Sequence, residues 1–288
     1  MPSTKSKSKK FDQSEGVEGG RLVPRLREPR YSQSLERGLA ILTCFTPQRP
    51  MMGIADIADE LGMSRSTTHR YMITLVELGY LEQGRSRKYR LGLRVTDLGM
   101  SALNSMSLRE YARPDLEELR QETRFTVSLA ILDGSEILYV DRVRGLRPGQ
   151  SKIDFDLHVG SRLPASCTAL GKLLLAYLPD AEQEALIASL KLAKGGPNAI
   201  ASKKALKAEL GQISEEGLAV DDEELAAEVQ AIAAPVRSSG GEVIAAVGLV
   251  GLRSMITVDE LVVSLSPHLI ATAARISARL GFRRDEER

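Results

Sequence analysis

Apolar residues in the first third of the chain recur at helical spacing. Leu35, Leu39, Ile41, Leu42 and Phe45 make one apolar face that stops before Pro47, which predicts a helix over 34–45. Ile54, Ile57, Ala58 and Leu61 predict a second, short helix over 53–61, closed by Gly62. Ser64 is then a good N-cap for a third helix, SRSTTHRYMITLVELGY, with Tyr71 or Met72, Leu75 and Leu78 inward. YLEQGRSRKYRLG reads as a hairpin of strands 80–83 and 88–91 around a turn at Gly84–Arg87. Helical spacing returns from Val95 to about Arg124, and Pro114 predicts a break there, hence a pair of linker helices over 95–124.

Beyond residue 125 the pattern changes. TVSLAILD and EILYVDRV are β-rich runs separated by Gly134-Ser135, which predicts an antiparallel hairpin. A further strand is expected near 150–156 and a buried one within GEVIAAVGLVGL, near 241–252. Helices are expected over 166–178, 180–190, 202–216 and 257–281. Hairpin strands mixed with scattered helices predict an α+β domain over 125–283.

Composition alters this picture in three ways. The 288 residues, 43% of them hydrophobic, suffice for two domains. The net charge of +1 conceals an asymmetry: 18 Lys/Arg face 12 Asp/Glu over 1–112, and 21 face 26 over 113–288. The first part therefore suits a polyanion and the second does not. Residues 1–30, rich in Lys, Ser, Gly, Pro and Arg, read as a disordered basic arm. With no run of about 18 apolar residues and no secretory segment, the expectation is a cytoplasmic protein without a membrane partner. Cys44 and Cys167 lie 123 positions apart, too far for a short-spaced metal cluster, so no metal is expected.

Helix, turn, helix and basic hairpin, in that order, form a winged helix-turn-helix over 31–94, with the third helix sized for the major groove of B-DNA. Its opening residues Ser64, Arg65, Ser66, Thr67, Thr68, His69 and Arg70 are the candidates for base edges and phosphates. Arg85, Arg87, Lys88 and Arg90 in the wing are candidates for phosphates. The alternative is a small-molecule sensor whose helical module docks a protein partner rather than DNA.

In LPASCTALGKLLLA, residues 163–176, a Ser, a Cys and a Thr precede an apolar helix. A cysteine nucleophile needs a base, and of His69, His158 and His268 only His158 lies near it in sequence. Gly171-Lys172 lacks a phosphate-cradling glycine loop, and no dinucleotide fingerprint exists. The chain therefore reads as no enzyme, without a cofactor. A helix start with unpaired N–H groups suits a carboxylate instead.

SLERGLAILTCF, LGMSRSTTHRYMITLVELGYLE, KYRLGLRV, LPASCTALGKLLLA and DDEELAAEVQAIAAPV together resemble the IclR family of transcriptional regulators, from about Ser34 to Leu280. The resemblance implies a winged helix-turn-helix, a linker helix and a GAF-like α/β effector domain with an antiparallel sheet. It also implies homodimers or dimers of dimers on palindromic double-stranded operators, controlled by a small organic acid. Carried over residue by residue, the amides of Ala169 and Leu170 face the acid, and Ser166, Cys167 and Thr168 line its approach. Asp221, with Asp222 as the neighbouring candidate, supplies an acidic group. Ala231 stands where members binding small oxo acids have Cys, and Gly248 and Val250 where they have Ser, implying a roomier, less polar pocket. RLPASCT is similar to regulators of aromatic-acid and β-ketoadipate pathway genes, which points to an aromatic or dicarboxylic acid such as protocatechuate. Arg142 and Arg162 are candidate second anchors, with surface salt bridges as the alternative role.

Overall fold

The computed structural model describes residues 32–84, 86–105, 107–147, 157–192 and 195–283. The basic arm, Arg85 and the strand expected near 150–156 lie outside them. The chain divides into two compact units at Ala102/Leu103.

In the N-terminal unit, α1 (Gln33–Thr43), α2 (Ile54–Leu61) and α3 (Arg65–Glu77) precede a two-stranded wing, β1 (Leu81–Gln83) and β2 (Tyr89–Leu91). Gly62 adopts φ +63°, a left-handed conformation that glycine takes without strain, and so turns the chain from α2 towards α3. Ser64 then caps α3 by accepting from the Thr67 amide at 3.2 Å. Ile41, Phe45, Met52, Ile57, Met72, Leu75, Leu81 and Tyr89 form the core. Met52 and Tyr89 exchange backbone hydrogen bonds, tying the wing to the segment before α2. Leu78, expected inside, is 48% exposed, and of the apolar face of α1 Leu35 is 63% and Leu39 46% exposed. In α1 the buried stripe is narrower than the apolar one, and Leu78 already lies past the last turn of α3.

The helical stretch 95–124 breaks elsewhere than at Pro114. Its helices are α4 (Leu93–Ser105) and α5 (Ser107–Thr123), and Pro114 lies inside α5 on its exposed face. There its missing N–H frees a single carbonyl that water can satisfy. α5 is no free linker either, because Leu108, Ala112, Leu116 and Leu119 are buried in the core of the C-terminal unit.

That unit is built on a six-stranded antiparallel sheet in the order β5-β4-β3-β8-β7-β6. The strands are β3 (Thr126–Asp133), β4 (Glu136–Val143), β5 (Arg162–Pro164), β6 (Ala219–Asp222), β7 (Val229–Arg237) and β8 (Val243–Leu252). β6 and β7 were not anticipated as strands. One face packs on α5 and on α10 (Ser266–Arg279), and the other on α6 (Ala169–Ala176), α7 (Asp180–Ser189) and α8 (Lys203–Glu216). Buried Asp115 ties α5 to α10 through Arg275 at 2.9 Å and Arg279 at 2.7 Å. The helix expected over 257–281 is divided into α9 (Val258–Glu260), a wide turn at Leu261–Leu265 and α10, where Pro267 cannot donate to the preceding turn. Val258–Arg279 as a whole is long and apolar enough to cross a membrane, but Leu261, Leu269, Ala273 and Ile276 belong to the core.

α6 is buried along its whole length. A Cβ on Gly171 would stand 2.3 Å from the Ala165 carbonyl oxygen and 2.6 Å from Thr168 Oγ1, so only glycine lets the helix start this close to the preceding turn. Gly171→Ala is expected to cost about 1–3 kcal/mol by forcing that backbone apart. Thermal denaturation checks this, and an unchanged melting temperature would show that the turn yields freely.

Candidate functional site

The first turns of α3 present Arg65, Ser66, His69 and Arg70 to solvent, with Thr67 half-buried. Ser64 is engaged as the cap, bonding the Thr67 amide, Thr67 Oγ1 at 2.8 Å and Ser66 Oγ at 3.1 Å. Thr68 is removed from the candidates: it is 0% exposed and donates to the Ser64 carbonyl at 3.1 Å. In the wing, Arg87 and Lys88 are exposed, whereas Arg90 is held by Glu82 directly across the hairpin, at 2.9 and 2.7 Å. The sequence shows no acid among the wing's basic residues because Glu82 comes from the other strand.

In the C-terminal unit a cavity of about 500 Å³, its open mouth included, lies between the sheet and the start of α6. Its floor is Ser128 of β3, Gly248, Leu249 and Val250 of β8, Ala231 and Ile232 of β7 and Asp221 of β6; Tyr139 and Arg142 of β4, the N-cap Thr168 and Ala169 and Leu170 of α6 complete its polar and apolar walls. Gly248 allows a close approach, since a Cβ there would stand 3.0 Å from both Leu170 Cδ2 and the Ile232 carbonyl oxygen, which would have to give by a few tenths of an ångström.

The start of α6 is arranged for an acceptor. Thr168 Oγ1 takes the Gly171 amide at 3.1 Å and the Thr168 carbonyl takes the Lys172 amide at 2.9 Å. Among the described residues, the amides of Ala169 and Leu170 are the donors of the first turn left without a partner. Asp221, buried beside them, accepts at Oδ1 from the amides of Glu224 at 2.8 Å and Leu225 at 3.4 Å. Burial, with nearby Glu224, pushes its carboxyl up to about 7 in spite of those amides and Lys172.

Behind α6, fully buried Lys172 pairs with Glu224 and with Glu209, the latter at 2.8 Å. A lysine inside the run ALGKLLLA needs buried carboxylates as partners, a signal that sequence reasoning passed over. Ser128 and Tyr139 were passed over too. Ser128 follows the regular alternation of β3, on the opposite face from Val127 and Leu129, whereas the face of Tyr139 depends on a β-bulge in β4. The β3–β4 pairing shifts register at Leu129/Ala130, so Val140 and Asp141 both turn towards α5, and Tyr139 and Arg142 both turn to the cavity.

Four other expected effector residues lie elsewhere. Ser166 and Cys167 sit in the buried turn Ala165–Cys167 ahead of α6 and do not line the cavity. Asp222 alternates to the far side of β6 from Asp221 and accepts from Gln230 Nε2 at 2.6 Å. Arg162 points away on the edge strand β5, pairing with Asp133 and with Glu136 at 3.7 Å. Burial first, then Asp221 and Glu224, push the Cys167 thiol up to about 11, which leaves it a protonated packing group at neutral pH. His158 bonds Ser161 Oγ at 3.1 Å.

Residues 34–85 match the IclR helix-turn-helix domain and residues 100–278 match the bacterial transcriptional regulator IclR C-terminal domain. The chain is 36% identical over 251 residues to the HTH-type transcriptional regulator XynR of Escherichia coli K12, covering 87% of this chain and 98% of that protein. It is 30% identical over 253 residues to the Pca regulon regulatory protein of Pseudomonas putida, covering 88% and 86%. An IclR homologue of Microbacterium hydrocarbonoxydans, solved in complex with 4-hydroxybenzoate, superposes with a TM-score of 0.71 at 27% identity, covering 86% of this chain and 99% of that one. These relatives are transcriptional regulators, not enzymes.

The raised carboxyl of Asp221 means that the folded chain holds its proton more tightly than the unfolded chain. The stability this contributes is present below about pH 4 and is lost as pH rises through about 7. Asp221→Asn, neutral throughout, is therefore expected to gain in melting temperature relative to the unsubstituted protein between about pH 5 and about pH 8. A difference independent of pH would show that Asp221 titrates like an exposed aspartate.

Proposed function

The chain belongs to the IclR family of bacterial transcriptional regulators, and from that premise we propose that its C-terminal cavity is the receptor for an aromatic or dicarboxylic acid whose binding controls operator binding by α3 and the wing. The single observation that carries the acid reading is the start of α6. Two uncommitted amides, Ala169 and Leu170, open into a largely apolar cavity beside Asp221. The amides receive the carboxylate, and Asp221 faces a ligand hydroxyl, as acceptor when ionised. Ala231, Gly248 and Val250 leave a small-residue floor on which a flat ring or a methylene chain can lie. The Pca regulon relative and the 4-hydroxybenzoate complex of the Microbacterium homologue support the choice of acid.

At the DNA end, Arg65, Ser66, Thr67, His69 and Arg70 read the major groove, while Arg87 and Lys88 meet phosphates; Arg90 does so only by leaving Glu82. The operator is palindromic, bound by a homodimer or a pair of dimers. For the acid to act at all, it must bind the DNA-competent and DNA-incompetent arrangements with different affinity.

Arg65→Ala and Arg70→Ala are expected to weaken binding to a duplex from the region upstream of the protein's own gene, by about 1–3 kcal/mol where a bidentate base contact is lost. Acid affinity should stay as it was. Asp221→Ala should do the reverse. Fluorescence anisotropy for the duplex and calorimetry for the acid check both, and an acid affinity that moves with the α3 variants would contradict the separation of the sites.

A further inference from the structure

The β3–β4 wall of the cavity holds three hydrogen-bond donors, Ser128, Tyr139 and the candidate anchor Arg142. Ser128 is 4% exposed and Tyr139 7%, both line the cavity, and neither hydroxyl has a hydrogen-bond partner among the described residues. Each hydroxyl can therefore pair with a ligand oxygen that enters the cavity. Burial pushes the Tyr139 phenol up to about 12, so it remains a donor across the physiological range. Arg142 stands opposite Ser128 in the strand register, and its Nη1 donates to the Leu157 carbonyl at the cavity wall at 3.0 Å. The bulge that brings Arg142 to this side sends Asp141 to the other. There Asp141 accepts from Arg113 at 2.7 Å and from the Arg142 amide at 2.7 Å, which fixes the backbone that carries the guanidinium.

The wall lies at a definite remove from α6. Leu170 rests over Gly248, Gly248 pairs with Ser128, and Ser128 pairs with Arg142. With strands about 4.8 Å apart, the Ser128 backbone is about 5 Å and the Arg142 backbone about 10 Å from the strand beneath α6. A molecule with one carboxylate at the Ala169 and Leu170 amides thus meets two hydroxyls and a cation at its other end.

We infer that Ser128, Tyr139 and Arg142 form a second anion subsite, so that the cavity is built for a dicarboxylate spanning from α6 to the β3–β4 wall. This rests on the reading of the α6 end as a carboxylate site and adds the far end of the ligand. Calorimetry on the full chain with matched pairs, terephthalate against benzoate and adipate against hexanoate, tests it. At least one diacid is expected to bind about ten- to a hundredfold more tightly than its monoacid. Arg142→Met should erase that preference, Arg142→Lys should restore part of it, and Tyr139→Phe, which keeps the ring packing, should reduce it. Equal affinity of monoacid and diacid, or a preference that survives Arg142→Met, would overturn the second subsite and leave the α6 site standing. Failure of every acid in the set to bind would remove both.

Discussion

The C-terminal unit depends on how closely one short helix is pressed between a turn and a sheet. Two glycines make that approach possible. Gly171 lets α6 begin against the Ala165 carbonyl, and Gly248 lets Leu170 descend onto β8. A helix held there cannot satisfy its first amides from its own turn, and the segment before it is already folded into a tight turn capped by Thr168. The unspent donors therefore face the cavity between helix and sheet. The same burial explains Lys172, which lies on the reverse of α6 and is neutralised by Glu209 and Glu224, and Asp221, whose carboxyl is raised by burial and by nearby Glu224 in spite of Lys172.

Much of this was legible in the sequence where one short-range rule decided the outcome. The helix-turn-helix follows from Gly62 and Ser64 and from apolar spacing around them, and the β3–β4 hairpin matches the expected residues end to end. Asp221, Thr168, Ala169, Leu170, Ala231, Gly248 and Val250 were named from motifs, and all of them line the cavity. What stayed hidden depended on contacts distant in sequence. Thr68 is a helix-opening threonine like Thr67, and only the packing of α3 decides which one is buried. Arg90 is a wing cation like Lys88 until the hairpin register sets Glu82 across from it. β6 ends and β7 begins in DDEELAAEVQAIAAPV, where acids and alanines mask a strand that burial on both faces later stabilises. The bulge that aims Tyr139 and Arg142 leaves no mark in a pattern of alternation.

The two units divide the chemistry. The N-terminal one carries exposed cations on a capped helix, suited to a polyanion read in a groove, and the C-terminal one carries uncommitted donors sheltered from water, suited to a small anion. Neither arrangement regulates anything alone. Regulation requires a coupling free energy between them, and that quantity is reciprocal: an acid that changes operator affinity by some factor has its own affinity changed by the operator by the same factor.

The most direct measurement is therefore the operator affinity of the full chain with and without a saturating acid that calorimetry shows to bind. The account predicts a change of about five- to 150-fold, with the acid's affinity shifted by the same factor when operator is present. An acid that fills the cavity and leaves operator affinity unchanged would contradict it.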